Sequence, residues 1–445
     1  MKPIVILLVT ALLQSCACSA REHNHAAMPE LPYKDTTLKY PVIPDDSLLT
    51  LVQKMTFRYF WDYAHPVSGL ARERLGSDDI VTVGGSGFGV MTIPVAVERG
   101  FITREEGAAR LLKIVTFLDS EADRFHGAYP HWLDGVTGDA LHFSMYDNGG
   151  DIVETALLIQ GLLTVRQYFN TSDPVETQVR LLIDRIWCDV EWDWYMHGHN
   201  VLYWHWSEDY GWGMDMRVEG WNEALIAYVL AASSPTHPIP RAAYDEGWAR
   251  DGEMRNGKTF FGVRLPLGPD FGGPLFVAHY SFLGLDPRAL SDEYADYWEQ
   301  NVNHTRINYR YCVRNPKGWA GYGENVWGLT ASDIPGGYAA SSPVDDIGVI
   351  APTAAISSIP YTPEESMRAL RYYYYILGDR AFGDYGFCDA FSLEEDWFAS
   401  SCLAIDQGPI IIMIENYRTG LLWDLFMKNV KVLDGLDKLG FDYVK

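Results

Sequence analysis

The chain has 445 residues, long enough for one large domain or two ordinary ones and for a sizeable core. Acids exceed bases by 24, which argues against nucleic acid and against a polyanionic substrate. Aromatic residues make up 14% of the chain, with 15 Trp and 27 Tyr. That is more than a core needs, and Trp and Tyr presented in a groove stack on the apolar faces of sugar rings.

At the N-terminus, Lys2 precedes an apolar run from Ile4 to Leu13, too short to span a bilayer but the size of a signal-peptide core. The run ends Leu13-Gln14-Ser15-Cys16, which resembles the lipobox of bacterial lipoproteins. Cleavage before Cys16 would leave that cysteine to carry lipid; ordinary signal cleavage near Ala17 or Ala20 is the alternative. Residues 1–15 are therefore expected to be a signal peptide, and residues 16–44, polar and proline-dotted, a lipidated tether. The expected location is the bacterial cell envelope, on the periplasmic side or at the outer-membrane surface. Four cysteines lie further in: Cys188, Cys312, Cys388 and Cys402. An oxidising compartment permits a disulfide, with Cys388 and Cys402 the favoured pair, and the spacing fits no metal motif.

From residue 45 the pattern is helical, and no composition break marks a second domain. The first helix is expected over Ser47 to Ala64, followed by a loop with Gly84-Gly85-Ser86-Gly87 and a second helix to Glu98. Thr103, with Glu105 and Glu106 after it, opens the third; Asp147 to Gln167 is the fourth and Pro174 to Cys188 the fifth. Glu219 to Ala232 is the sixth, Arg241 to Ala249 a weaker seventh, Pro274 to Leu283 the eighth and Ser291 to Arg314 the ninth. Pro352 to Ser358 is the tenth; Pro363 opens the eleventh and Pro409 the twelfth, before a last stretch from Gly420 to Leu439. Odd-numbered members are amphipathic; even-numbered ones are apolar all round and follow long loops rich in Gly, Trp, Tyr and Asp. Two concentric rings would demand that alternation. The expected fold is all-α, an (α/α)6 barrel of six inner and six outer helices over residues 45–445. Short hairpins are expected near Asn200 to Trp206 and Lys258 to Leu265.

The polar heads of the apolar helices carry the chemistry. Tyr146-Asp147-Asn148-Gly149-Gly150-Asp151 places two acids four residues apart, which would share a face if both were helical. Either could instead cap the helix. Glu219-Gly220-Trp221-Asn222-Glu223 leads into another buried run, and a carboxyl beside apolar surface is disfavoured as the anion, which suits Glu223 to a general acid. Glu219 is the more natural capping residue. Two carboxyl groups across a cleft are the minimum for hydrolysing a glycosidic bond. Candidate sugar-binding residues are Trp206, Trp212, Trp221, Asn222, Trp327, Asp333 and Asp406; Glu415 ends an apolar run and needs a partner. Asp406 is also placed to cap the helix that Pro409 opens.

Those motifs, with Trp327-Gly328-Leu329-Thr330-Ala331-Ser332-Asp333, Asp406-Gln407-Gly408-Pro409 and Ile414-Glu415-Asn416-Tyr417-Arg418-Thr419-Gly420, resemble the bacterial family labelled "putative glucoamylase". That family contains the β-1,2-glucanases of glycoside hydrolase family 144. The resemblance runs from about Asp45 to the C-terminus. It implies an (α/α)6 barrel, secretion, inverting hydrolysis of β-1,2-glucan, and essential acids at Asp147, Asp151 and Glu223.

The expected activity is thus glycoside hydrolysis of a β-linked glucan, with Glu223 as acid and Asp147 or Asp151 activating water. No cofactor or metal is implied, since the His205 loop lacks paired ligands. The expected partner is a glucan oligo- or polysaccharide, not nucleic acid; membrane contact is confined to the N-terminal lipid, and the chain is expected to be monomeric. The other readings are a lipid-anchored glycan-binding protein without catalysis, a glucoamylase-like hydrolase of another glucan, and a polysaccharide lyase, against which the acid-rich motifs speak.

Overall fold

A computed structural model describes residues 37–443, so the leader, Cys16 and most of the tether lie outside the described residues. The end of the expected tether is not free chain. Leu38, Tyr40, Val42 and Ile43 pack against the core, Tyr40 stacks on Tyr374 at 4.6 Å, and Tyr375 accepts the Lys39 N–H and the Ile43 N–H. Four apolar side chains within six residues are reason enough for that segment to dock.

The described residues form α1 (Asp45–Trp61), α2 (Val83–Glu98), α3 (Arg104–Ser120), α4 (Ile152–Tyr168), α5 (Pro174–Asp189) and α6 (Leu225–Ser233). They continue with α7 (Tyr297–Arg314), α8 (Pro352–Ile356), α9 (Pro363–Tyr372), α10 (Ala404–Arg418), α11 (Leu421–Phe426) and α12 (Val430–Leu439). The starts of the amphipathic helices are written locally: Thr103 and Glu106 form a capping box on α3, Asp173 caps α5 ahead of Pro174, and Asp296 caps α7. Two expected helices take other forms. Ala243–Trp248 is a π-helical turn, and 274–283 becomes the 3-10 turns Leu275–Ala278 and Tyr280–Phe282. The break falls at His279, whose backbone swings to φ −111° and whose ring is held by Ser358 Oγ at 2.9 Å.

Every residue of α6 and α8 is buried, as is every residue of α4 from Ile152 to Val165 and of α2 from Val83 to Ala96. These helices, with α10, make the inner layer. Contacts run from α10 to α2, α2 to α4, α4 to α6, α6 to the 280–282 turn, and α8 back to α10, while His279 and Ser358 join the 3-10 segment to the end of α8. Around them α1, α3, α5, α7 and α9 each bury one stripe. The glycine run expected as a loop lies inside α2. A Cβ on Gly87 would fall 2.4 Å from Leu157 O, and one on Gly161 would fall 2.1 Å from Gly87 O. The glycines therefore let α2 and α4 touch backbone to backbone.

Three helix heads differ from expectation in ways that matter for the site. α4 begins at Ile152 because Gly150 and Asp151 pair in extended form with Trp206 and His205, so Asp147 is in a loop and does not share a helical face with Asp151. That pairing also replaces the hairpin expected at 200–206, whereas Thr259–Phe260 does pair with Val263–Arg264. α6 begins at Leu225, leaving Glu219 exposed and Glu223 just ahead of the helix. α10 begins at Ala404, so Pro409 lies within it and Asp406 occupies its first turn; Leu403 is the N-cap.

At the opposite end of the inner helices, Arg99 binds Glu415 through two nitrogens at 2.8 and 2.7 Å, joined by Gln53 and Thr419. Glu415 is a satisfied structural acid. The four described cysteines are all free thiols; Cys388 and Cys402 donate to Ala390 O and Phe387 O instead of bonding each other.

Candidate active site

The heads of α2, α4, α6 and α10 meet around a cavity of about 380 Å³, lined by Thr82, Glu154, Glu223, Leu403 and Ile405 from those heads. Loops, short strands and the 3-10 turns add His131, Trp132, Phe143, Trp204, Phe276, Tyr280 and Tyr338, so aromatic rings make up much of the wall, with carboxyls set into it.

One wall is built on α4. Asp151 is its N-cap: Oδ1 accepts the amides of Val153 and Glu154 at 2.9 Å each, and Oδ2 accepts the indole N–H of Trp204 at 3.0 Å. Glu154, one turn on, projects from an otherwise apolar helix. Its Oε2 accepts the Gly84 N–H at 2.7 Å, an amide in the first turn of α2 that has no partner within its own helix. A Cβ at Gly84 would lie 2.5 Å from that oxygen, so the glycine is what admits the carboxylate. His131 stands among the acids: Nδ1 is 3.5 Å from Asp147 and 3.4 Å from Asp151, and Nε2 is 3.8 Å from Glu154. Burial opposes charge on this ring, but Glu154, Asp147 and Asp151 outweigh it and hold the imidazole pKa well above its ordinary value. Burial pushes the Glu154 carboxyl up, and the His131 charge opposes that rise.

Asp147 is held differently. His205 Nε2 accepts the backbone N–H of Gly149 at 2.9 Å and of Asn148 at 3.2 Å. That nitrogen is therefore unprotonated, in keeping with a pKa lowered by burial, and it offers no hydrogen to Asp147 Oδ1 at 3.6 Å. Asp147 Oδ1 is buried without a hydrogen-bond partner among the described residues. An acceptor in that state calls for a water or a substrate hydroxyl.

Glu223 enters the same cavity from the head of α6. Its backbone carbonyl is held by Ser281 Oγ, and Asn222 Oδ1 accepts the Ala224 N–H, which fixes the turn that carries the carboxyl. Burial raises the Glu223 pKa, the Asp151 charge adds to the effect, and it is pushed up to about 7.

A third group lies near α10. Arg74 binds Glu73 and, at 2.9 Å, Asp333, whose backbone N–H donates to Asp389 Oδ2 at 2.6 Å. Ser401 Oγ donates to the other Asp333 oxygen. Asp389 and Asp406 are both buried, and burial followed by the Asp389 charge drives Asp406 well above the carboxylate range. The pair therefore retains a proton.

His131, Asp147 and Asp151 bring ligand atoms within 4.8 Å of one another, the spacing of a small cation site. Both oxygens of Asp151 are already engaged by N–H donors. The donor set fits an ion cluster better than a metal centre.

The model of the family described as "Putative glucoamylase" matches residues 215–430. Over 423 residues, 90% of this chain, it is 48% identical to an exo β-1,2-glucooligosaccharide sophorohydrolase (non-reducing end) of Parabacteroides distasonis, and it spans 58% of that relative's length. Two solved structures superpose over 90% of the chain. A "putative glucoamylase" from Bacteroides uniformis is 56% identical with a TM-score of 0.89, over 98% of its length. The endo-β-1,2-glucanase of Chitinophaga pinensis, in complex with sophorotriose and glucose, is 53% identical with a TM-score of 0.88, over 99% of its length. This chain belongs to the glycoamylase family.

In this glycoamylase-family protein Glu223 reaches the cavity wall, with Asp147 and Asp151 behind His131. Asp333 and Asp406 sit in the α10 cluster, and Asn222 acts as a turn cap. Trp206 and Trp212 are half-buried beside the cavity rather than in its wall. Two of the tryptophans expected in the groove are core residues. Trp221, 6% exposed, packs on Trp248 and Tyr297, and Trp327, 0% exposed, donates its indole N–H to Glu365 O. Both rings are taken up by core packing, Trp221 against Phe282 as well as Trp248 and Tyr297, and Trp327 against Tyr309. Sequence reasoning passed over His131, Glu154, Arg74 and Asp389. Only Glu154 carried a signal, as a lone charge in a buried helix.

Proposed function

We propose that this protein is an exported glycoside hydrolase of (α/α)6 architecture that cleaves β-1,2-linked glucan with inversion at the anomeric carbon. The observation that carries the reading is one cavity that holds Glu223, a carboxyl biased to keep its proton, together with Glu154, and has Asp147 and Asp151 gathered on His131 at its wall. Glu223 donates its proton to the glycosidic oxygen as the bond to the anomeric carbon breaks. Water attacks that carbon from the opposite face, and its proton passes to the α4 wall, where Asp147 Oδ1 is the vacant acceptor. His131 draws the wall acids together and Asp151 orients the head of α4. Arg74, Tyr280 and Tyr338 are placed to bind sugar hydroxyls. The names of the relatives support the β-1,2 linkage.

Incubation with linear β-1,2-glucan, laminarin, starch and pectin, followed by reducing-end assay and ultraviolet absorbance, tests the reading. Reducing ends from β-1,2-glucan alone are expected; unsaturated products, or activity confined to starch, would overturn it. The lipobox supports anchoring through Cys16. Cys16→Ser is expected to move the protein from the detergent phase to the aqueous phase with full activity.

A further inference from the structure

We infer that the surface beside the cavity carries a second glucan-binding site, an aromatic platform centred on Trp194 that engages long chains and not short oligosaccharides. This rests on the glucan reading above. Trp194 lies in the single turn Trp194–Met196 and is 40% exposed. His126 stacks on one face of its indole at 3.8 Å and 16°, and Trp206 stands edge-on to both rings at 5.0 and 6.2 Å. Trp212 adjoins Trp194 at 6.2 Å, and His197 leans on Trp212 at 4.5 Å. The five rings form one continuous cluster, and none of them is among the residues lining the catalytic cavity.

Three observations turn this cluster from a packing feature into a binding surface. First, Trp194 is stacked by His126 yet remains 40% exposed, whereas a Trp recruited for the core would be covered. Second, His126 and His197 supply their rings from left-handed backbone, at φ +50° and +48°, a conformation that costs a non-glycine residue free energy and persists where surroundings impose it. Third, the rim is polar. Glu191 binds His126 at 2.9 Å and Asp193 binds His237 at 3.1 Å, and both carboxylates remain accessible. An apolar ring face edged by carboxylates and imidazoles matches the amphipathic surface of a neutral sugar, and the acid rim disfavours a polyanion.

The platform is continuous with the catalytic wall. Trp206 pairs through its backbone with Gly150, next to Asp151, and Asn148, next to Asp147, donates to Asp209 in the loop that carries Trp206 and Trp212. A chain seated in the cavity and extending past that wall would meet Trp194. A short oligosaccharide would end before it.

Initial rates on β-1,2-glucan of high polymerisation and on a β-1,2-linked tetrasaccharide test this in the full chain, comparing wild type, Trp194→Ala and Trp194→Tyr. Trp194→Ala is expected to raise KM for the polymer about tenfold, the scale of one lost aromatic contact. Its kcat and KM on the tetrasaccharide should match wild type, and Trp194→Tyr should restore most of the polymer affinity. Affinity electrophoresis in polymer-containing gels, on a Glu223→Gln background, should show the same order of retardation, with melting temperatures reporting that each variant is folded. An unchanged polymer KM and retardation in Trp194→Ala would overturn the platform, as would equal losses on both substrates. Wild-type turnover is a separate readout: if wild type neither cleaves nor binds β-1,2-glucan, the substrate assignment fails and the platform falls with it.

Discussion

Trp204 donates its indole N–H to Asp151 Oδ2 at 3.0 Å, on the carboxylate whose other oxygen caps α4. An amide at residue 151 could keep the cap only by turning its NH₂ toward the indole N–H. Asp151→Asn is therefore expected to destabilise the fold, by about 1–3 kcal/mol for the unmade hydrogen bond to Trp204. Removing the indole donor should relieve the conflict, so Trp204→Phe combined with Asp151→Asn should cost clearly less than the two single changes added together. Denaturant unfolding of the four proteins measures this; simple additivity would contradict the pairing.

Asp147 gives the opposite pattern. Its Oδ1 lacks a partner among the described residues and its Oδ2 is 3.5 Å from His131, so Asp147→Asn breaks no close hydrogen bond. The melting temperature is expected to fall less than in Asp151→Asn, since only the charge beside His131 is lost, while the hydrolysis rate falls by at least about a hundredfold, the scale of a lost acid-base group. Full activity in that variant would move water activation to Glu154.

Glu223 sets the alkaline limb. Its carboxyl is pushed up to about 7 by burial and by Asp151, and it works as an acid only while protonated. kcat/KM should therefore fall as pH rises through about 7, and Glu223→Gln should lose turnover while retaining glucan binding. A rate still level at pH 9 in wild type would place the proton donor elsewhere.

Much of this arrangement was legible because helices buried on every side leave no polar stripe, and α4, α6 and α10 announce themselves that way. The α2 glycines misled because they look like a turn, while their use is to bring the backbones of α2 and α4 together at Gly87 and Gly161. Helix heads were read too early at Asp147 and Glu219, since the pairing of Gly150 and Asp151 with His205 and Trp206 is a contact between distant loops. Nor does a tryptophan beside an acid reveal which way it turns: Trp221 and Trp327 face the core, while Trp204, two residues before Trp206, holds Asp151. His131 and Asp389 are single residues in loops, and only the folded chain brings them to the acids they serve.

The Asp389–Asp406 pair makes a prediction for stability. Burial first raises both carboxyls in the folded chain, with the Asp333 charge adding to it at Asp389 and the Asp389 charge at Asp406. As pH rises past about 4, the ordinary carboxylate range, the unfolded chain ionises while the folded pair keeps its proton, so the pair's contribution falls as pH rises. Asp406→Asn removes that penalty. Its melting temperature relative to wild type should climb between pH 5 and pH 8; a constant difference would mean the two acids do not share a proton.

The configuration of the first product tests the central claim most directly. Linear β-1,2-glucan incubated with the enzyme and followed by ¹H NMR from the earliest minutes should show new reducing ends as the α-anomer, with the β-anomer appearing only as mutarotation proceeds. New reducing ends that appear first as the β-anomer would contradict the inverting assignment of Glu223 and the α4 wall.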